Sequence, residues 1–349
     1  MGITKAWQCP INVCTKNSEV EEKTMILSFD SFLPLYQFVA VAFLVVGVVR
    51  FLHWKGIFTD DYQPVFDRLV TELALPAIIF STLATSTVPP EMVVPIITLF
   101  AGLITALCIA WGICRALHLP PKTTGTLVMV SGFGSTATMA IPIVTKIFPT
   151  VTQAYEHALV IGTFGVALPF FTIGVLISSY FGTYDERGQG HIIRVLKEFL
   201  TTPIFIAFVL GCILSILLSS YQIPGAVVFT DIFTNFFTII YQSVQLLIWI
   251  SIGLLLRPIR ARHLLPFLVL AAGIKLIIEP TLVMGYAQVA GVPYVTSLLL
   301  LFEAAIASGA LAAVMASRYG CDGPLAGWLV MGTYLLGLVT VPLMFFIHT

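Results

Sequence analysis

Lys275 and Glu279 stand four residues apart inside an otherwise apolar stretch, 264–289. On a helix that spacing places both on one face, where they can pair. A second isolated acid, Glu303, lies in the apolar run 298–307. Ionisable groups deep in apolar segments are expensive to bury and are functional hypotheses by default. The chemistry open to them is charge recognition and the exchange of a proton or cation. Lys275 is therefore expected to be the counter-charge of an anionic solute, with Glu279 as its neighbour. Glu303 is expected to respond to a proton or a cation. The competing account is a buried structural pair together with a protonated, hydrogen-bonded Glu303.

The second kind of chemistry is backbone chemistry. The stretch 130–144, Val-Ser-Gly-Phe-Gly-Ser-Thr-Ala-Thr-Met-Ala-Ile-Pro-Ile-Val, sits inside an apolar segment, yet its middle is glycine and small hydroxyls. Gly132 and Gly134 tolerate angles that a continuous helix does not use. Pro142 lacks an N–H and fits the first turns of a helix that restarts near Ser135. A restarting half-helix presents unpaired N–H groups and the positive end of its dipole. An anion could be held there by amides around Thr136 to Thr138, with hydroxyls of Ser135, Thr136 and Thr138 added. A matching interruption, Ala307-Ser308-Gly309, follows Glu303. The competing account is that small residues merely let helices pack closely.

Other constellations are missing. Gly132-x-Gly134 lacks the Lys-Ser/Thr of a phosphate loop, and neither Gly-x-Ser-x-Gly nor His-Glu-x-x-His occurs. No histidine pairs with a carboxylate at metal-ligand spacing. No enzyme, no metal and no cofactor is expected. Of the six cysteines, Cys108, Cys114 and Cys212 read as small buried hydrophobes.

The elements that must position these residues are membrane spans. Of the 349 residues 58 % are hydrophobic and 10 % charged, far below the roughly 25 % charged of soluble domains. Mean hydropathy is +1.00 and net charge is zero, which gives no bulk attraction to nucleic acid. Apolar runs predict spans near 35–52, 66–86, 92–116, 123–147, 155–181, 201–219, 234–256, 264–289, 295–317 and 323–347. Residues 1–24 read as a disordered tail, without the apolar core of a signal peptide. Twelve of the 17 Lys and Arg flank the odd-numbered connections, which the positive-inside rule makes cytoplasmic. Both termini are then extracytoplasmic.

Prolines recur at a near-constant offset: Pro34 with Pro203, Pro95 with Pro266, Pro169 with Pro342. Residues 25–182 and 201–349 therefore read as two five-helix repeats around a cytoplasmic linker, 183–200. An odd number of crossings inserts the second copy upside down, an architecture that places a transporter's site between broken helices at mid-membrane. The two breaks lie about 20 Å inward from opposite faces at 1.5 Å per residue, so they overlap in depth. The expected fold is an all-α membrane protein of ten transmembrane helices, two inverted five-helix repeats with crossed, broken helices 4 and 9.

These residues resemble the auxin efflux carrier family, within the superfamily of bile acid, arsenite and riboflavin-type transporters. The resemblance rests on Leu75 to Phe80, Gly134-Ser135-Thr136 through Ile141-Pro142, Lys275 through Pro280, Glu303 to Ile306, Arg318 to Asp322, and Pro342. It implies the crossed ten-helix fold and transport of small organic anions. Similar members carry Asn where Ser135 stands and often Pro where Ala307 stands.

The expected function is a secondary or facilitative carrier of an auxin- or dicarboxylate-like anion by alternating access. The expected binding residues are Ser135, Thr136, Thr138, Ser308, Gly309 and Lys275, with Glu303 and Glu279 for charge or coupling. Gly132, Gly134 and Pro142 form the hinge. Coupling to H⁺ or Na⁺ is open. The alternatives are a sodium-coupled symporter similar to bile acid carriers, with Glu303 and Ser308 as cation ligands, and a transporter-fold ligand sensor. The expected partners are the anionic solute and the lipid bilayer, in the plasma membrane by default. A homodimer is left open.

Overall fold

A computed structural model describes residues 29–85, 88–135, 139, 141–147, 154–183, 191–220 and 226–348. The N-terminal tail, Thr136 and Thr138 fall outside them. Among the described residues the chain is helical and contains no strand. Helix α1 is Leu33–Trp54. Gln63–Arg68 and Leu75–Thr85, joined by the π-helical turn Leu69–Ala74, form α2. Helix α3 is Val93–Ala116, α4 is Pro121–Gly132 and α5 is Ile141–Ile147. Helix α6 covers Ala154–Gly182 with two π-helical turns.

Helix α7 is His191–Leu200, α8 is Pro203–Ser220 and α9 is Ala226–Leu255. Helix α10 covers Ala261–Val289 and passes through a π-helical turn, Ile274–Ile278, that carries Lys275. Tyr294–Ala305, Ala310–Arg318 and Gly323–His348 are α11, α12 and α13. By length and composition alone, α1, Pro90–Ala116, α6, α10 and α13 are long and apolar enough to cross a membrane. A sixth span forms if Ile192–Leu200 and Pro203–Ser215, bent by 55°, are taken together.

Packing follows the small residues. A Cβ on Gly102 of α3 would stand 2.2 Å from Cγ2 of Val283, so the missing side chain is what lets α3 and α10 touch. Helix α1 lies against α9 and α2 against α8. Behind them Trp249 of α9 stacks edge-on with Phe38 of α1 and Tyr334 of α13, at 5.8 and 5.5 Å between ring centres. At the basic end Asp60 accepts from the His53 ring at 2.9 Å and from Arg257 at 3.2 Å. The His53 hydrogen bond, against slight desolvation and with help from Arg257, holds the Asp60 carboxyl below its usual range.

Within the stretch read as the linker, His191–Leu200 forms a helix. One feature differs from the sequence expectation. Cys114 is buried, but Cys108 is exposed, as are Ile97 and Trp111 of the same helix. An apolar residue on a membrane helix can face lipid as readily as protein, so apolar context alone does not predict burial.

Gly102→Leu is expected to destabilise the protein by about 1–3 kcal/mol, since the added side chain overpacks α3 against α10. Thermal unfolding of the purified variant in detergent would measure it, with Gly285→Leu, at a glycine that meets nothing within 4 Å, as the control expected to shift little.

Candidate functional site: the crossing of two interrupted helices

Helix α4 stops at Gly132 because Phe133 turns to an extended conformation, φ −92° and ψ 123°. Helix α11 stops at Ala305 because Ile306 does the same, φ −65° and ψ 147°. The two ends meet as an isolated antiparallel bridge between Gly134 and Ser308. Ser135 N–H donates to the Ala307 carbonyl at 3.0 Å, and Gly309 N–H donates to the Phe133 carbonyl at 2.8 Å. Contact this close needs bare backbone. A Cβ on Gly309 would lie 3.1 Å from the Gly134 carbonyl oxygen.

The bridge solves a solvation problem. The last carbonyls of a helix have no intrahelical partner, and water cannot serve them in hydrocarbon. Here the Ser308 hydroxyl donates to the Val130 carbonyl at 2.7 Å, and the Lys275 ammonium to the Gly132 carbonyl at 3.2 Å. Both donors sit at the negative end of the α4 dipole, where a cation is favoured.

Lys275 is 0 % exposed and also pairs with Glu279 Oε2 at 2.8 Å. Its ammonium would lie 3.1 Å from a Cβ on Gly134, so the charge is pressed against the bridge. Glu303 is 1 % exposed, and neither of its oxygens meets a hydrogen-bond donor among the described residues. Its carboxyl abuts Gly162 of α6, where a Cβ would stand 2.9 Å from Oε2. Pro142 occupies the second position of α5, and the Met139 N–H closes a turn onto the Ser135 carbonyl at 3.2 Å.

On one side of the bridge lies a cavity of about 640 Å³. Gly134, Ser135, Gly309 and Ala310 form its base, and Phe38, Phe133, Phe170, Phe171 and Phe208 supply aromatic walls. Thr82, Thr163 and Gln245 are among its few polar groups. The buried Tyr334 hydroxyl points at the Ser135 side chain and the Ala310 amide without closing a well-formed hydrogen bond to either. Of the residues singled out from sequence, Gly134, Ser135 and Gly309 line the cavity. Ser308, a partner in the bridge, and Lys275, Glu279 and Glu303 are buried and are not among the cavity's lining residues.

One node escaped the sequence reading. Asp67 of α2 is buried, and its carboxylate accepts from the hydroxyls of Ser317 (2.7 Å) and Ser251 and from the Gln63 amide. It thereby ties α2 to α9 and α12 at the basic end, where Arg318 also pairs with Glu72 at 2.6 Å. The available signal was its position, one residue before Arg68 at the start of the largely apolar stretch of α2.

Lys275→Met strips Glu279 and the Gly132 carbonyl of their shared donor in a dry site. The expected loss is roughly 3–5 kcal/mol, as for other broken buried pairs. Lys275→Met combined with Glu279→Leu should recover much of it. Unfolding of both variants in the same detergent compares the two.

Residues 29–345 match the membrane transport protein family. An uncharacterized transporter of Methanothermobacter thermautotrophicus is 25 % identical over 291 residues, spanning 82 % of this chain and 90 % of that protein. The chain is a multi-pass helical membrane protein and belongs to the membrane transport protein family, the auxin efflux carrier family that its motifs resemble.

Proposed function

We propose that the protein is a carrier for a small organic anion with an apolar body, bound where the two interrupted helices cross. The observation that carries this is the cavity whose base is the bridge itself. Helix α12 begins there at Gly309, so its amide end and positive dipole face the carboxylate of a solute in the cavity. The Ser135 side chain and the buried Tyr334 hydroxyl stand at the same point. The walls are largely aliphatic and aromatic. Such a lining favours an apolar monocarboxylate over a dicarboxylate, whose second charge would meet hydrocarbon.

Ten crossings in two inverted repeats fit the helix order. Exchange of the two halves would relate the α1–α9 contact to the α2–α8 contact and map the α3–α10 contact onto itself. Alternating access then means movement of the crossed pair relative to α1, α2, α8 and α9. The basic ends mark the cytoplasmic side under this proposal, with the plasma membrane as the default location and self-association into a homodimer left to direct measurement.

Lys275 pairs directly with Glu279, whereas the Glu303 carboxyl feels the Lys275 charge only at a distance and has no hydrogen-bond donor of its own among the described residues. It is the group that would carry a coupling proton or Na⁺. A carrier and a ligand sensor built on this fold separate by counterflow, which only the carrier supports.

Apolar monocarboxylates are expected to raise the unfolding temperature of the purified protein more than dicarboxylates do, and Ser135→Ala should shrink that shift. A screen in which no carboxylate stabilises the protein removes the anion site. Glu303→Gln is expected to flatten the pH dependence of uptake into proteoliposomes, and an unaltered profile assigns Glu303 to packing. A rise in stabilisation when Na⁺ replaces K⁺ would select sodium over protons.

A further inference from the structure

From the placement of α7 we infer that His191–Leu200 is an in-plane membrane-surface helix whose docking partner is the anionic headgroup layer of the bilayer. Its direction is fixed by sequence. Pro203 has no N–H with which to continue a helix through from α7. The Thr201 hydroxyl donates to the Glu198 carbonyl at 2.8 Å, and the Thr202 hydroxyl to the Phe199 carbonyl at 2.7 Å, closing α7. Thr202 Oγ1 also accepts the Phe205 N–H at 3.2 Å, which caps the start of α8. The result is a 55° bend between α7 and α8. Phe199 packs edge-on against Phe205 at 5.3 Å between ring centres, so the bend is braced from inside.

The residues of α7 sort into three strips. Val195 and Phe199 are buried against the protein. Ile192, Ile193, Leu196 and Leu200 continue the same apolar arc but are exposed, Ile192 by 68 % and Ile193 by 72 %. Arg194, Lys197 and Glu198 occupy the opposite arc. Four large aliphatic side chains on so short a helix would be a liability in water. They are not in water if the helix lies at the level where α6 ends and α8 begins, since both of those elements are apolar and belong to spans. The exposed arc then dips into the acyl boundary and the charged arc faces the headgroups, as amphipathic interfacial helices do.

The sign of the charged arc selects the headgroup. Two cations against one acid leave a net positive face, and each cation near an anionic surface is worth roughly a fivefold gain in partitioning. The inference concerns the lipid contact of the protein and stands whether or not the proposed solute is correct.

The test uses the full chain, with its native cysteines replaced and its unfolding temperature retained, in phosphatidylcholine vesicles with and without phosphatidylglycerol. A polarity-sensitive fluorophore is attached at Ile193→Cys or, as control, at Arg194→Cys. The expected result is quenching by lipids brominated near the headgroup at least threefold stronger from position 193 than from 194, with the opposite order for aqueous iodide. Phosphatidylglycerol should raise the unfolding temperature, and Arg194→Glu with Lys197→Glu should at least halve that rise. Equal quenching at both positions overturns the in-plane placement. An undiminished rise in the charge-reversed variant overturns the headgroup assignment. Cross-linking of two chains through position 193 would make this face a contact between copies and overturn the lipid proposal.

Discussion

Hydrocarbon offers no hydrogen bonds, and a helix that stops inside it strands several carbonyls and amides. Everything at the centre of this protein follows from how that deficit is met. Two helices stop where they meet, and each supplies what the other lacks: a carbonyl from Phe133 for Gly309, a carbonyl from Ala307 for Ser135. Two further carbonyls of α4, those of Val130 and Gly132, are served by the Ser308 hydroxyl at the second break and by an ammonium from α10. The π-helical turn that carries Lys275 belongs to the same solution, since such turns often mark sites where a helix departs from regularity for function.

Because the breaks satisfy each other, their outer surface is free to serve a solute. Gly134, Ser135 and Gly309 contribute to both, with one edge in the bridge and one in the cavity. Lys275, Glu279 and Glu303 are buried and do not line the cavity. Under the proposed function, the solute therefore meets a dipole end and hydroxyls and no full charge. Ser135 and Ala307, where the resemblance leads one to expect Asn and Pro, lie at this crossing. Ser135 and Ala307 are hydrogen-bonded to each other through their backbones, and the bond uses the Ala307 carbonyl, which a proline would also offer.

The breaks were legible because glycines and hydroxyl residues in the middle of an apolar run weaken a helix where lipid would otherwise favour an unbroken one. The Lys275–Glu279 pair was legible because it is local in sequence and charged in an apolar setting. What could not be read was where side chains go across long separations. Nothing in the neighbourhood of Ser308 says that its hydroxyl turns onto Val130, and nothing near Asp67 says that Ser251 and Ser317 will surround it. Helix α7 was hidden by its three charges, which made an amphipathic surface look like a polar connection. Cys108 shows the converse, since hydropathy does not distinguish a lipid-facing position from a protein-facing one.

One consequence attaches to the lysine behind the bridge. Its ammonium is a rivet driven through two plates, the carboxyl end of α4 and the middle of α10, and it is fully buried between them. Sliding one plate over the other would bare a full charge in oil. Any relative sliding of the first half of the interrupted helix and the helix behind it would first have to break this fastening.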